Sequence, residues 1–249
     1  MARTTDGTAT SFMNSATNSI FSAPPLSVLL DFMPLVSSGV PFCLLNTQTA
    51  NWDGVYLALG AGAVTFVSAS NSTFQGGTAA PCQIGNRNLA LAVWASTSSR
   101  QMFCAGVAAP IDTVSNVPVW TASFVNLGFG ASVRAGFDNN TSAVFYRCFI
   151  WNAVLDSADY QAIFNGQPPE LIRPNLLFFR SYFNQAQSSV AVRTLQYTSV
   201  YTGETLTSNG TIGVAPDSPS YPTMLKTYKS KTGTGIAPLV FILMPQIVT

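Results

Sequence analysis

The stretch Tyr146–Pro169, YRCFIWNAVLDSADYQAIFNGQPP, predicts a β-strand, a tight turn and one short helix. Side chains of an extended segment alternate between its two faces. One face is predicted to carry Phe145, Arg147, Phe149 and Trp151, and the other Tyr146, Cys148 and Ile150. A strand of this kind followed by a lone helix is a fold marker in a chain otherwise rich in strand signals.

The helix is predicted near residues 156–165. Asp156 or Ser157 can cap its N-terminus, and Asp159 lies in the first turn, where the helix dipole favours a carboxylate. Asn165-Gly166 supplies the left-handed residue that ends the helix, and Pro168-Pro169 prevents its continuation. Capping therefore accounts for Asp156 and Asp159, the only close acidic pair in the chain.

The composition is unusually poor in charge. The chain has 249 residues, of which 8% are charged, and its net charge is +1. Because about 25% charged residues is typical, much of the surface is expected to be uncharged and covered by neighbours in an assembly, although a polar-surfaced monomer also fits. No basic stripe is present to neutralise phosphates, so nucleic-acid binding is not expected.

Membrane insertion and metal-thiolate chemistry are also not expected. The longest apolar stretch, residues 237–248, is short for a bilayer and contains two prolines. The four cysteines have no CxxC or metal-ligand spacing and lie within or beside apolar runs, which predicts buried free thiols. These are Cys43, Cys82, Cys104 and Cys148.

Short strand signals separated by Gly, Asn, Pro and Ser predict an antiparallel sandwich or barrel. The predicted strands are Leu26–Phe32, Val40–Asn46, Val55–Leu59, Val64–Ser68, Leu89–Ser96, Arg100–Cys104, Phe124–Phe129, Val133–Phe137, Ala143–Trp151, Leu176–Phe183, Val190–Tyr197 and Ser199–Thr202. Residues 1–25 are interpreted as an N-terminal arm, 26–221 as the sandwich and 222–249 as a C-terminal tail. Within the sandwich, residues 208–220 are expected to form a loop.

Residues 26–169 resemble the laminin-G-like branch of the concanavalin A-type lectin and glucanase folds. Leu89–Trp94 and Arg100–Val107 are similar to that family's hairpin, which has an aromatic-x-x-Gly turn; Ala105 stands where the family usually has Asp or Asn. Phe149–Asp159 resembles its closing strand and short helix, commonly W-N-x-x-L-S/T-x-x-E. Ile172–Tyr182 resembles an extension, running to about residue 221, found in bacteriophage proteins that carry this domain.

The resemblance implies an all-β jelly-roll of two antiparallel sheets with one short helix. It also implies a structural protein of a bacteriophage virion, made in the host cytoplasm, with a capsid-surface decoration or cement role expected first. A tail or fibre component and a carbohydrate-binding adhesion module are the alternatives. The expected partners are copies of the same chain and other virion proteins, and fold alone does not decide among these roles.

No catalytic, cofactor or metal site is predicted. The chain has no histidine, which removes the usual general base, and its two glutamates, Glu170 and Glu204, do not form the carboxylate pair that glycosidases need. Asp53, Asp112 and Asp138 lie in predicted loops and could ligate calcium, but a role in turns is the favoured interpretation. Non-enzymatic function is therefore expected.

Two kinds of contact residue are predicted instead. Trp52, Trp120 and Tyr56 could stack on sugars, although packing in the core or between loops is the favoured interpretation of these aromatic side chains. Apolar residues of the arm and tail are expected to make contacts between subunits, and part of the tail to pair with the sheet of its own chain. The predicted assembly residues are Phe12, Phe21, Val240, Phe241, Ile242 and Leu243.

Overall fold

The computed structural model describes residues 2–15, 24–46, 51–77, 79–116, 118, 125–133, 137–183, 189–191, 205–209 and 213–215. Within these ranges the chain is almost entirely extended, with one α-helix, α1 (Ser157–Phe164), and two 3₁₀ turns, Pro169–Leu171 and Pro174–Leu176. The strands are β1 (Ala2–Asp6), β2 (Phe12–Ser15), β3 (Leu26–Pro34), β4 (Ser38–Asn46), β5 (Gly54–Gly60), β6 (Ala63–Ser70), β7 (Thr73–Gly76), β8 (Ala80–Pro81), β9 (Asn88–Ser96), β10 (Ser99–Cys104), β11 (Val107–Ala108), β12 (Val125–Phe129), β13 (Ser132–Val133), β14 (Phe137–Asp138), β15 (Ser142–Trp151), β16 (Leu177–Tyr182), β17 (Ser189–Ala191), β18 (Thr205–Asn209) and β19 (Gly213–Ala215).

Two antiparallel sheets account for nearly all of these strands. Sheet A has the order β11-β10-β9-β3-β15-β1-β19, and β16 pairs with the half of β15 that β1 leaves uncovered. Sheet B has the order β17-β18-β2-β12-β4-β5-β6-β7, and β8 pairs with the other end of β6. This arrangement confirms the predicted all-β jelly-roll sandwich with one short helix.

The main hydrophobic core lies between the two sheets. Strand β9 shows how the sequence builds it, because the strand is covered on both faces. Ala90, Ala92 and Trp94 belong to the core between the sheets, whereas Leu89, Leu91 and Val93 belong to a second core under α1. The small alanines admit close packing of the opposite sheet, and the leucines fill the layer beneath the helix. Fully burying each of these larger side chains contributes roughly 1.5–3 kcal/mol.

A β-bulge changes the predicted side-chain pattern of β15. Phe145 pairs with Phe32 and Arg147 pairs with Asp31, so Tyr146 is an extra residue between the two pairs. Phe145 therefore shares the inter-sheet core with Cys148 and Ile150, while Phe149 and Trp151 lie under α1. The prediction of strict alternation from Phe145 to Trp151 was wrong, because one inserted residue reverses the face of everything after it.

Helix α1 has the predicted ends. Asp156 is the N-cap: its carboxylate accepts from the backbone N–H groups of Ala158 and Asp159, and the Asp159 carboxylate accepts from the Asp156 N–H at 3.1 Å. Hydrogen bonds from the backbone N–H groups of Asp159 and Ala158, with the Arg173 charge, lower the pKa of Asp156 against the opposing effect of partial burial. At the other end Gly166 has φ +95°, the left-handed conformation that closes a helix.

Parts of the predicted N-terminal arm are strands of the sandwich. β1 lies between β15 and β19 in sheet A, and β2 lies between β12 and β18 in sheet B. The sequence ARTTD of β1 has no alternation of apolar and polar residues. Its inward position is occupied by buried Thr5, whose hydroxyl donates to the backbone oxygen of Thr141 at 2.6 Å. Backbone pairing and this hydroxyl hold the strand where a hydrophobic pattern would be expected.

Other differences concern segments of weak hydrophobic pattern. The predicted strand Val133–Phe137 is instead part of a small hairpin formed by β13 and β14. The predicted loop at residues 208–220 contains the end of β18 and all of β19. The predicted strand Ser199–Thr202, most of Val190–Tyr197 and the tail, residues 222–249, lie outside the described residues. In the part of the chain described, no helix is long and apolar enough to cross a membrane.

Candidate functional site

An open groove on the outer face of sheet B is the candidate site. Strands β4, β5 and β7, with the segments that precede β5 and follow β14, contribute its walls. Its volume is about 350 Å³, and we call it the aromatic groove after the three rings along it. It is lined by Gly39, Val40, Trp52, Tyr56, Ala58, Leu59, Phe74 and Asn139.

The three rings form one contiguous surface. The Trp52 and Tyr56 centroids are 4.7 Å apart with a tilt of 48°, and Phe74 meets Trp52 edge-on at 5.8 Å. Phe74 is 50% exposed and Trp52 is partly buried, whereas Tyr56 is 7% exposed and forms the floor. Below them lies a small apolar core of sheet B that includes Cys43. The rings therefore combine a solvent-facing edge with a rigid base.

Hydrogen bonds fix the backbone that carries Trp52. Its N–H donates to the Ser72 hydroxyl at 3.1 Å, and its carbonyl accepts from the Ser72 N–H at 3.1 Å. The Asn71 N–H donates to the Asp53 carboxylate, and the Asn51 side-chain amide donates to the Asn71 side-chain oxygen. The turn between β6 and β7 thus holds the backbone of residues 51–53 by hydrogen bonds, so the position of Trp52 does not depend on a bound ligand.

The groove is lined only by uncharged residues. Burial raises the pKa of Tyr56 to about 12, so its phenol stays neutral at any physiological pH. The polar groups of the lining side chains are the Tyr56 phenol, the Trp52 indole N–H and the amide of Asn139, which lies on an exposed turn. A ligand suited to this surface is neutral, with an apolar face for the rings and a few hydroxyl groups for the rim.

The structure brings together two of the aromatic residues predicted from sequence. Trp52 and Tyr56 are neighbours in the groove, and Trp120 lies outside the described residues. Phe74 was not predicted, although a lone aromatic in the polar edge strand TFQG, next to the tight turn Asn71-Ser72, is a usable signal. Asn139 could not be predicted as a groove residue, because it is about a hundred positions from β4 in the sequence. The two segments meet only in the folded chain, where the Val40 N–H donates to the Asn139 carbonyl at 2.8 Å.

The three loop aspartates considered for calcium have separate protein partners. Asp53 accepts from the Asn71 N–H, and Asp138 accepts from the Ser132 hydroxyl. Asp112 forms an ion pair with the fully buried Arg100 at 2.5 Å. Among the described residues no three Asp, Glu, His or Cys side chains are placed to hold one metal ion.

The remaining described carboxylates also have protein partners. Asp31 is fully buried between the guanidinium groups of Arg87 and Arg147, each at 2.6 Å. Asp6 accepts from Thr8, Glu170 is 3.7 Å from Arg180, and Asp156 and Asp159 cap α1. Structural roles thus account for every carboxylate in the described ranges.

The predicted assembly residues fall into two groups. Phe12 is 3% exposed and packs in the small core of sheet B, so its side chain is used inside the chain. Phe21, Val240, Phe241, Ile242 and Leu243 lie outside the described residues. All four cysteines are buried free thiols, as predicted.

Comparison with solved structures agrees with the sandwich. The chain is similar to a native heptameric SAP-like pentraxin from Limulus polyphemus, with a TM-score of 0.53 and 13% identity over 65% of this chain and 80% of that chain. At this identity the likeness supports the fold alone.

Two further solved structures are similar at TM-scores below 0.5. The sialidase CBM40 of Ruminococcus gnavus, bound to α2,3-sialyllactose, gives 0.49 with 12% identity over 57% of this chain and 83% of that chain. Domains LG4-5 of the mouse laminin α1 chain give 0.47 with 16% identity over 63% and 43%. No protein-family model matches the sequence, and no curated protein sequence matches it.

Proposed function

We propose that this chain is a non-catalytic binding domain whose aromatic groove holds a neutral carbohydrate. The observation that carries the proposal is the Trp52, Tyr56 and Phe74 surface, which is open to solvent, fixed by hydrogen bonds and lined only by uncharged residues. Small-molecule sites combine apolar lining with a few polar groups that fix orientation, and this groove has that composition.

Sugar rings suit the groove for a physical reason. One face of a pyranose presents C–H groups, and an aromatic ring placed against that face removes apolar area from water without requiring the hydroxyl groups to lose their hydration. The Asn139 amide then supplies a donor and an acceptor at the edge of the groove, and the Tyr56 phenol is the polar group of its floor. Because few atoms make contact, affinity for one sugar unit is expected to be weak, with dissociation constants near the millimolar range.

The test measures binding to neutral oligosaccharides by glycan array and by calorimetry. Trp52→Ala and Phe74→Ala are each expected to lower affinity at least tenfold, and Trp52 fluorescence should change on binding. Ile111→Ala is the matched control, because Ile111 is similarly exposed but does not line the groove. Equal binding by wild type and both groove variants, or binding restricted to anionic glycans, would refute the proposal.

A second candidate is the structural role in a bacteriophage virion, as a capsid decoration or cement protein or as a tail component. Its support is the 8% content of charged residues and the exposed apolar side chains Leu35, Val36, Ile111 and Val114. Light scattering after size exclusion would show oligomers, and removal of residues 235–249 should abolish them. A stable monomer that this deletion leaves unchanged would count against the assembly.

A further inference from the structure

Cys82 and Cys104 lie together at one edge of the sandwich. Cys82 directly follows β8, which pairs with β6 in sheet B, and Cys104 is the last residue of β10 in sheet A. Strands β8 and β10 contact each other across the core, and both thiols belong to the core between the sheets. The two thiols also interact directly, since each changes the pKa of the other, so the two side chains are neighbours.

We propose that Cys82 and Cys104 form an oxidation site that closes to an intramolecular disulfide joining sheet A to sheet B. The oxidant is a small-molecule disulfide such as oxidised glutathione. The Cys82 thiolate attacks one sulfur of the oxidant, which forms a mixed disulfide and releases one glutathione thiolate. The Cys104 thiolate then attacks the Cys82 sulfur and releases the second. Two electrons pass from the cysteines to the oxidant, and the two protons end on the two glutathione thiols.

The order of these steps follows from the local chemistry. The hydrogen bond from Cys104 lowers the pKa of Cys82 although burial opposes the shift, and the same hydrogen bond together with burial raises the pKa of Cys104. Cys82 is therefore the thiol that ionises first and attacks first. The adjacent strands β8 and β11 have two residues each and provide a short edge that can open to admit the oxidant.

The other two cysteines have different surroundings. Cys43 is in the small core on the outer face of sheet B, where its thiol donates to the Ala131 carbonyl at 3.4 Å. Cys148 lies in the inter-sheet core, and burial raises its pKa well above the ordinary value. Oxidation is therefore expected to be selective for the Cys82 and Cys104 pair.

The experiment refolds the full chain from denaturant in a glutathione redox buffer and, in parallel, in reductant. After redox refolding, thiol titration in denaturant should find two of the four thiols lost, and the mass should be lower by two hydrogens. A non-reducing digest should contain one linked peptide pair, joining Cys82 to Cys104. The melting temperature should exceed that of the reduced protein by several degrees, because the bond restricts the unfolded chain.

Cys148→Ala is the matched control for Cys104→Ala, since both remove a fully buried thiol from the same core. Cys148→Ala should still lose two thiols, whereas Cys104→Ala should give no linked peptide pair and no rise in melting temperature. Any thiol lost from Cys104→Ala should be that of Cys82, carrying one added glutathione from the first step. Four intact thiols in the wild type, or a linked peptide pair that joins other cysteines, would overturn the proposal. The wild-type measurements decide the matter even if a variant fails to fold.

Discussion

Ala105 occupies a backbone conformation that L-residues with a Cβ disfavour. With Gly106 it forms the two-residue turn between β10 and β11, at φ +50° and +80° respectively. Hairpin turns of this kind favour Asn-Gly, because asparagine tolerates the left-handed region better than alanine. Ala105→Asn should therefore stabilise the protein by about 1 kcal/mol, measured as the free energy of unfolding in urea.

Gly106→Ala is the opposite test in the same turn. Its Cβ would lie 3.2 Å from the Phe164 ring and would force alanine to a positive φ. We expect this variant to be destabilised by about 1–2 kcal/mol. Stabilities that do not separate in opposite directions would show that the turn is not under backbone strain at Ala105.

The ion pair of Arg100 and Asp112 should make stability depend on pH. Burial acts to raise the pKa of Asp112, but hydrogen bonds from Arg100 and from the Val114 N–H, with the Arg100 charge, outweigh it and lower the pKa. A carboxylate with a lowered folded-state pKa contributes stability above its unfolded pKa of about 3.9. That contribution is lost as the pH falls through the folded-state value.

Asp112→Asn should accordingly be destabilised near neutral pH by about 3 kcal/mol, since Arg100 is left buried without a charged partner. The difference between wild type and variant should shrink as the pH is lowered from 7 to 3. Urea unfolding across that range measures it. A difference that stays constant with pH would mean that the Asp112 charge is not the stabilising group.

The role of a residue could be predicted from the sequence where it depends on residues nearby in the sequence. It could not be predicted where it depends on contacts with distant segments of the chain. Asp156 and Gly166 were predictable, because a cap acts within four residues of itself. Trp52 was predictable as a candidate, but its partner Phe74 comes from the edge strand of another hairpin. The contact of Gly39 and Val40 with residues 139–141 spans about a hundred positions of sequence, and no local pattern signals it.

At the scale of elements, one hydroxyl of α1 bonds a backbone group of sheet A and one of the turn between β10 and β11, in addition to the apolar packing beneath the helix. The Tyr160 hydroxyl donates to the Leu89 carbonyl at 3.1 Å and accepts from the Gly106 N–H at 3.0 Å. Tyr160→Phe keeps the ring between Phe103 and Phe164 but leaves both backbone groups without this partner. The variant should be destabilised by about 1–3 kcal/mol in urea unfolding.

Asp156→Asn provides the comparison for the same helix. Asparagine is as good an N-cap as aspartate, so this variant should change stability by only a few tenths of a kcal/mol. If both variants behave alike, α1 is held by its apolar face and not by the Tyr160 hydroxyl.

Element prediction succeeded where a strand is long and buried. β3, β9 and β15 were predicted to within two residues, since their apolar runs are covered on both faces. β1 and β18, with sequences ARTTD and TLTSN, were not predicted. Both strands are held by backbone pairing with neighbouring strands, and their sequences have no apolar pattern that would indicate it. The bulge at Tyr146 could not be predicted either, because a bulge is defined by the pairing register of β15 with β3.

At the scale of the whole molecule, the N-terminal residues complete both sheets. Thr4 pairs with Val144 on one side and with Gly213 on the other. Proline cannot donate a backbone hydrogen bond and, within a strand paired on both sides, is tolerated only at a bulge or at the strand's first residue. Thr4→Pro should therefore destabilise the protein by about 2–3 kcal/mol, seen as an earlier urea midpoint and faster proteolysis.

Ala9→Pro is the matched control five residues further on. Ala9 is exposed and lies at the second position of a turn in which the Ser11 N–H donates to the Thr8 carbonyl, and proline is favoured at that position. This variant should unfold as the wild type does. An unaffected Thr4→Pro protein would instead show that residues 2–6 act as a free arm.

The pairing of β1 also bears on how the chain is made. Arg3 lies beside Phe145 and Val214, so β1 can pair only after residues more than a hundred positions later in the sequence have been synthesised. Strand β2 likewise can pair with β12 and β18 only after they have been synthesised. Contacts of such long sequence separation fold slowly. Both strands are therefore unpaired until β12 and β15 have been synthesised, and the yield of folded protein should depend on factors that shield them during translation.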